Sequence, residues 1–255
     1  MKLFTLSIAL FAVTACGGKI TDDTGTTTDT SDTSDTGSTT DTQDVLDITA
    51  DCSADSSNIC ALQTGDYNID DSLTITGIVA GDALRAGFFV VAPQGGPWSG
   101  VWVYTGTPAS QEGLLMNGDE VSITGTYAEY DFGTGGDSVT EIVVADAADV
   151  SVLSSGNALP SYTTVTADDL MDLEIAEAFE CSPVRIANVT VTSAPDDYGD
   201  WMVEGTVNVA QHYVAVPETL AVGDTFTSIE GMLYSHYDKY KIVPVVDSGL
   251  AGWNE

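Results

Sequence analysis

The sequence predicts an all-β protein made of two tandem five-stranded barrels joined by a short helix. Three observations lead there. Beyond Ser72, apolar and polar residues alternate over short runs broken by Gly, Pro, Asn and Asp, the mark of half-buried strands. The runs fall into two sets of five, and the sets align with each other: "LTITGIVA" with "VRIANVTVT", "GFFVVA" with "DWMVEG", "NGDEVSITGTYAEY" with "VGDTFTSIEGMLYSHY", and "TEIVVADAADV" with "YKIVPVVDSGL". In both sets a Gly-Asp turn (Gly118-Asp119, Gly223-Asp224) opens the long fourth strand, and a second glycine (Gly125, Gly231) follows within it.

The first set predicts strands over residues 72–80, 86–92, 100–105, 120–130 and 140–150. The second predicts them over residues 184–192, 200–207, 212–216, 225–233 and 240–246. A glycine inside a long strand suits the sharp bend or bulge with which a small barrel turns a corner. Two such units resemble tandem OB-type barrels. Between them, "TVTADDLMDLEIAEAFECSP" carries helix signals: Thr166 as cap with Asp169 three residues on, Asp168 and Asp172 at the positive end, and Leu170, Leu173 and Ala176 on one face. The expected divisions are 48–160 for the first barrel, 161–183 for the connecting helix and 184–255 for the second barrel.

Ahead of the barrels, residues 1–15 read as a signal peptide: Lys2, an apolar run too short to span a bilayer as a helix, then small residues. Val13-Thr14-Ala15-Cys16 resembles the lipobox of bacterial lipoproteins, which implies a lipidated Cys16 and a chain anchored to a membrane. Gly17 stands where lipoproteins retained at the inner membrane tend to carry Asp, which favours the outer membrane and a surface-exposed location. Residues 16–47 form a Thr/Asp/Ser tract too poor in apolar side chains to offset the entropy of ordering, hence a disordered tether. Cys52 and Cys60 lie close enough in an exported chain to pair with each other; pairing of Cys181 with either is the alternative.

The formal net charge is −33, and beyond the tether 31 acidic residues face four basic ones (Arg85, Arg185, Lys239, Lys241), about −27. Such acidity opposes binding to phosphate backbones, which depends on Lys and Arg displacing counterions.

The order of motifs "GFFVVAPQGGPWSGVWVYTG", "GDEVSITGTYAEY", "AEAFECSPVRIANVTVT", Trp201 and "YSHYDKYKIVP" resembles the OB-like repeat region of bacterial extracellular endonucleases and related exported lipoproteins. In the nucleases a catalytic domain follows these repeats. Here the chain stops after the second repeat, so the resemblance implies the accessory module without the nuclease.

No hydrolase elbow, Cys-x-x-Cys, phosphate loop or dinucleotide fingerprint occurs, which predicts binding rather than catalysis. His212 and His236, the only histidines, read as scattered strand or surface residues rather than a metal pair. If a cation is used, abundant carboxylates favour calcium, with Asp131 and Asp137 in one acidic loop and Asp196, Asp197 and Asp200 in another as candidate ligands. In the hairpin "AGFFVVAPQGGPWSGVWVYTG", strand parity sends Val101 and Val103 to one face and Trp102 and Tyr104 to the other, while Phe88 and Phe89 straddle both faces. Trp102, Tyr104 and Trp98 are therefore the candidate ligand-binding residues, an aromatic platform for a saccharide or protein ligand, unless the aromatics instead cover the junction with the other barrel. Two further expectations compete with such a module: a nucleic-acid-binding accessory of a nuclease, and a structural envelope protein bridged by calcium.

Overall fold

The computed structural model describes residues 46–132, 138–237 and 239–254. The expected signal peptide, Cys16, the expected tether up to residue 45 and Asp137 lie outside the described residues.

The chain forms two closed five-stranded barrels of the same topology. In the first, β1 (Ser72–Ala80), β2 (Gly87–Val91), β3 (Gly100–Tyr104), β4 (Glu120–Tyr130) and β5 (Val139–Val143) run in the order β1-β2-β3-β5-β4, and β4 closes on β1. The β3–β5 pairing is parallel and the others are antiparallel. The short β6 (Val150–Ser154) lines the outside of β4. After β7 (Thr163–Thr164), the second barrel repeats the pattern with β8 (Pro183–Ser193), β9 (Trp201–Val203), β10 (Val207–Val209), β11 (Thr225–Ser235) and β12 (Tyr240–Val243). There the parallel pair is β10–β12, β11 closes on β8, and β13 (Leu250–Ala251) pairs with β11 as β6 does with β4.

The alternation that predicts these strands also fills the barrels. Leu73, Ile75, Phe88, Val90, Val101, Val103, Val121, Ile123 and Ile142 form the first core; Ile186, Val191, Trp201, Val203, Phe226, Leu233 and Ile242 belong to the second. Gly125 and Gly231 mark the points where the long strands pass from one neighbour to the next. No register shift is recorded at either; a Cβ on Gly125 would lie 2.4 Å from Ile142 Cγ2, and one on Gly231 would lie 2.4 Å from the Val243 carbonyl oxygen. Close backbone approach, rather than a bulge, requires glycine here.

Several boundaries differ from expectation. The strand expected over 140–150 stops at Val143, because Asp146 caps a 3-10 turn at Ala147–Asp149 by accepting from the Ala148 amide (2.9 Å), and the chain returns as β6. The run expected as one strand over 200–207 is a hairpin, turned by left-handed Glu204 (φ 52°) and Gly205 (φ 78°), so β10 lies before the strand expected at 212–216, which is not a strand. The connecting helix is broken. Thr166 and Asp169 do form the reciprocal cap, with the Asp169 amide donating to Thr166 Oγ1 (3.1 Å) and the Thr166 amide to Asp169 Oδ2 (2.7 Å), but they cap only a 3-10 turn at Asp169–Met171. Asp172 then takes extended backbone angles and caps a separate α2 (Leu173–Ala178). Leu173 consequently faces solvent (62% exposed), while Leu170 and Ala176 are buried.

Each barrel also takes core residues from the helix before its first strand: Ile59 and Leu62 from α1 (Ile59–Gln63), and Ala176 with the adjoining Phe179 from α2. The segment expected as a connector is therefore part of the second barrel. So are Leu46 and Ile48, expected in the tether and the first barrel, which pack against the second core. Cys52 and Cys60 form the disulfide that fixes α1, with Cα atoms 5.4 Å apart, and Cys181 is a buried free thiol raised by burial and then by Glu180. Closing so short a loop is worth roughly 2.5 kcal/mol in the chain-entropy treatment.

A third core joins the barrels. Phe89, Val91, Trp102 and Val139 of the first meet Cys181, Ala210, Met232, Tyr234, Val243 and Val245 of the second. Buried polar bonds cross the same seam: the Thr140 amide donates to Glu180 Oε2 (2.9 Å) and Ser99 Oγ lies 3.2 Å from Ser182 Oγ. At Gly100 the backbones touch, so that a Cβ would fall 1.7 Å from the Cys181 carbonyl oxygen.

Candidate functional site

The doubly apolar hairpin β2–β3 is explained by this seam. Its inward row fills the first barrel and its outward row, Phe89, Val91 and Trp102, is covered by the second. Phe89 meets Trp102 edge-on (4.9 Å between centroids) and Tyr234 edge-on (5.3 Å). Parity is as expected, but Trp102 is 8% exposed and serves the junction; only its rim reaches a cavity. Trp98 stands apart from that cavity, its indole N–H donating to the Ile48 carbonyl (2.8 Å), so it clasps the N-terminal segment rather than a ligand.

One cavity opens where the barrels meet, and a second adjoins it on the second barrel. One, of about 320 Å³, is lined by Ala86, Trp102, Tyr104, Tyr130, Phe132 and Glu141 of the first barrel and by Tyr234 and His236 of the second. The other, of about 610 Å³, is lined by Asp196, Tyr198, Asp200, His212, His236, Tyr237, Lys239 and Lys241. His236 lines both, so an aromatic lobe and a polar lobe meet at its ring. The loops that supply them are equivalent in the two repeats: β4–β5 gives Phe132, and β11–β12 gives His236, Tyr237 and Lys239. In OB barrels the mouth between the loop after the first strand and the loop after the fourth is the usual ligand position.

The aromatic lobe is tightly built. Phe132 stands edge-on to Tyr130 (4.9 Å) and to His236 (4.6 Å), and His236 stacks on Tyr234 (5.7 Å, 20° between planes). Tyr104 is 42% exposed and offers an open ring at the mouth. At its wall the Glu141 carboxyl, 6% exposed, is pushed up to about 7 by burial and by the charge of Glu129. Glu129 itself belongs to the inward row of β4 with Tyr127, and its carboxylate accepts from Tyr127 OH (2.7 Å), Ser138 Oγ (2.6 Å) and Thr140 Oγ1 (2.8 Å).

In the polar lobe Lys241 is buried and pairs with Asp200. Asp196 shapes its own turn, its Oδ1 accepting from the amides of Tyr198 (2.8 Å) and Asp200 (3.0 Å). His212 and His236 meet edge-on with centroids 5.8 Å apart. Burial pushes His236 down to about 4, helped by Lys241 and His212 and opposed by Asp200; burial likewise lowers His212, against the pull of Asp200. Both rings are therefore neutral at pH 7. His236 Nδ1 is buried and has no hydrogen-bond partner among the described residues.

Among the described residues, the expected calcium ligands Asp131, Asp196, Asp197 and Asp200 are not gathered into one site. Asp200 is neutralised by Lys241, the Asp196 carboxylate is spent on its own turn, and Asp197 and Asp131 are exposed. Among the described residues no cluster of three His, Cys, Asp or Glu side chains is arranged to hold a metal ion. The histidines, in contrast, are brought together rather than scattered. Sequence reasoning passed over Tyr130, Phe132, Glu141, Tyr234, Lys239 and Lys241, although a signal was present. "YSHYDKYK" places two lysines and a histidine in eight residues of a chain with only six Lys and Arg, and aligning Gly125 with Gly231 sets Tyr130 against His236. No family model matches the chain, and no curated protein matches it.

Proposed function

We propose that the protein is a lipid-anchored, non-catalytic binding module of a bacterial outer envelope, and that the cleft between its barrels holds a saccharide. The observation that carries this reading is the meeting of an aromatic lobe and a polar lobe at His236. Sugars present apolar ring faces to stacked aromatics and hydroxyls to mixed donors and acceptors, and Tyr104, Tyr130, Glu141, His236 and Lys239 supply both kinds of contact. The combined cleft also has the size of a small-molecule site.

Two features argue for binding over hydrolysis and over nucleic acid. Glu129 and Glu141, the pair with the clearest mutual influence, lie on inward and outward rows of their barrel rather than flanking a common space, as a glycosidase would need. The outward face of β2–β3, which in an OB barrel would receive bases, is occupied by the second barrel, and the folded part is strongly acidic.

The test is isothermal titration and thermal shift of the whole chain against a panel of oligosaccharides, calcium and single-stranded DNA. At least one oligosaccharide should bind and raise the melting temperature. Tyr104→Ala combined with Tyr130→Ala should weaken that binding at least tenfold at unchanged fold. A response to calcium or DNA without one to any sugar would replace this reading by one of the two competing ones.

A further inference from the structure

We infer that the saccharide is acidic and that it lies across the cleft in one direction, its carboxylate in the polar lobe and a ring in the aromatic lobe. This rests on the saccharide reading and goes beyond it by assigning the charge and the polarity of the ligand.

The argument begins with the two repeats superposed through their ladders. In the parallel pairs Trp102 lies opposite Glu141, and Asn208 lies opposite Lys241; one residue on, Val103 pairs with Ile142 and Val209 with Ile242. Glu141 and Lys241 are therefore the same position of the fold, and by the same count along β4 and β11 so are Tyr130 and His236. All four line the cleft. Equivalent walls thus carry opposite chemistry: a carboxyl beside tyrosine in one lobe, an ammonium beside histidine in the other.

The distribution of cations points the same way. The folded part has four basic residues, and Arg185 is engaged with Glu230 (3.2 Å) on the far ladder. Two of the other three, Lys239 and Lys241, line the polar lobe, and the exposed Arg85 precedes the lining residue Ala86 in the chain. Facing the polar lobe are Asp196 and Asp200 from the β8–β9 loop, His212 from beyond β10, and His236, Tyr237, Lys239 and Lys241 from β11–β12. With Asp200 balanced by Lys241, the lobe is close to neutral in a body at about −27, which makes it the place where an anion meets least repulsion.

The chemistry of the groups completes the fit. Lys239 is exposed, and its ammonium has no hydrogen-bond or ion-pair partner recorded among the described residues, so it is available for a charge-assisted bond. The His236 ring lines the same lobe beside Lys239. In the aromatic lobe Glu141 repels a carboxylate when it is ionised, which disfavours the reversed orientation above about pH 7. An anion beside His236 and His212 would also favour their protonation, so binding should take up protons.

The test uses oligomers of galacturonate, of glucuronate-containing glycan and of mannuronate/guluronate, each with its carboxyl-reduced neutral counterpart, titrated into the whole chain. At least one acidic oligomer should bind about tenfold more tightly than its reduced form, the worth of one charge-assisted bond. The preference should fall below threefold in Lys239→Gln, grow from pH 7 to pH 5, and shrink with added salt. A reduced oligomer that binds as tightly as its acidic parent overturns the assignment of charge and leaves the saccharide cleft standing. Absence of binding by any member of either series overturns both.

Discussion

The outward faces of β2–β3 and β9–β10 occupy the same place in the two repeats and have been put to different uses. Phe89 and Trp102 in the first are answered by Met202 and Asn208 in the second, by the register of the two hairpins. The first face is apolar and sealed inside the molecule; the second sets Asn208 beside Met202 and lies next to Lys241. The same barrel thus occurs twice, and one copy uses this face to hold the other. The aromatic cavity belongs to neither barrel alone, since it takes Tyr234 and His236 from the second.

Breaking the sealed face should have the largest effect. Phe89→Ala removes a fully buried ring that touches Trp102 and Tyr234, and should cost about 3–5 kcal/mol in urea denaturation. The two barrels should then unfold in separate steps; a loss below about 1 kcal/mol with one cooperative transition would show that the seam is not what joins them.

On the open face, Lys241→Met leaves Asp200 without its partner and should cost about 2–4 kcal/mol, while adding Asp200→Asn should recover most of it. A double variant no more stable than the single one would mean that the lysine acts through its packed stem instead of its charge.

The smallest effects sharpen the contrast through pH. His236 falls from an ordinary 6.5 to about 4 on folding, so its unfolded form protonates first, and the stability it supports is lost as pH drops from 6.5 towards 4. Glu141 rises from 4.5 to about 7, so its unfolded form ionises first, and stability is lost as pH climbs from 4.5 to 7. Each slope should amount to about 1–2 kcal/mol after screening at the cleft mouth. His236→Phe should flatten the acid limb alone and Glu141→Gln the upper limb alone, read from melting temperatures across pH 4 to 8.

The barrels were legible because each buries one row of every strand, and a period of two survives in the sequence as alternation from Leu73 to Ile75 or from Val121 to Ile123. The internal repeat was legible for the same reason. What escaped depends on contacts between distant segments. Nothing local to Phe89 and Trp102 says whether their face meets a ligand or another barrel, and the structure shows it meeting Tyr234, far along the chain. The break at Asp172 escaped because two capping aspartates in succession read as one acidic helix start. The histidine pair escaped because His212 lies beyond β10 and His236 at the tip of a hairpin, and only the closure of the second barrel brings their rings together.

The docking of Leu46 and Ile48 on the second core sets an order of events. A chain that emerges N-terminus first presents these two residues early, but the core they pack against includes segments as late as Ile242. The clasp from Trp98 to the Ile48 carbonyl draws the first barrel into the same closure. The first described residues therefore depend, for the core they pack against, on segments near the end of the chain.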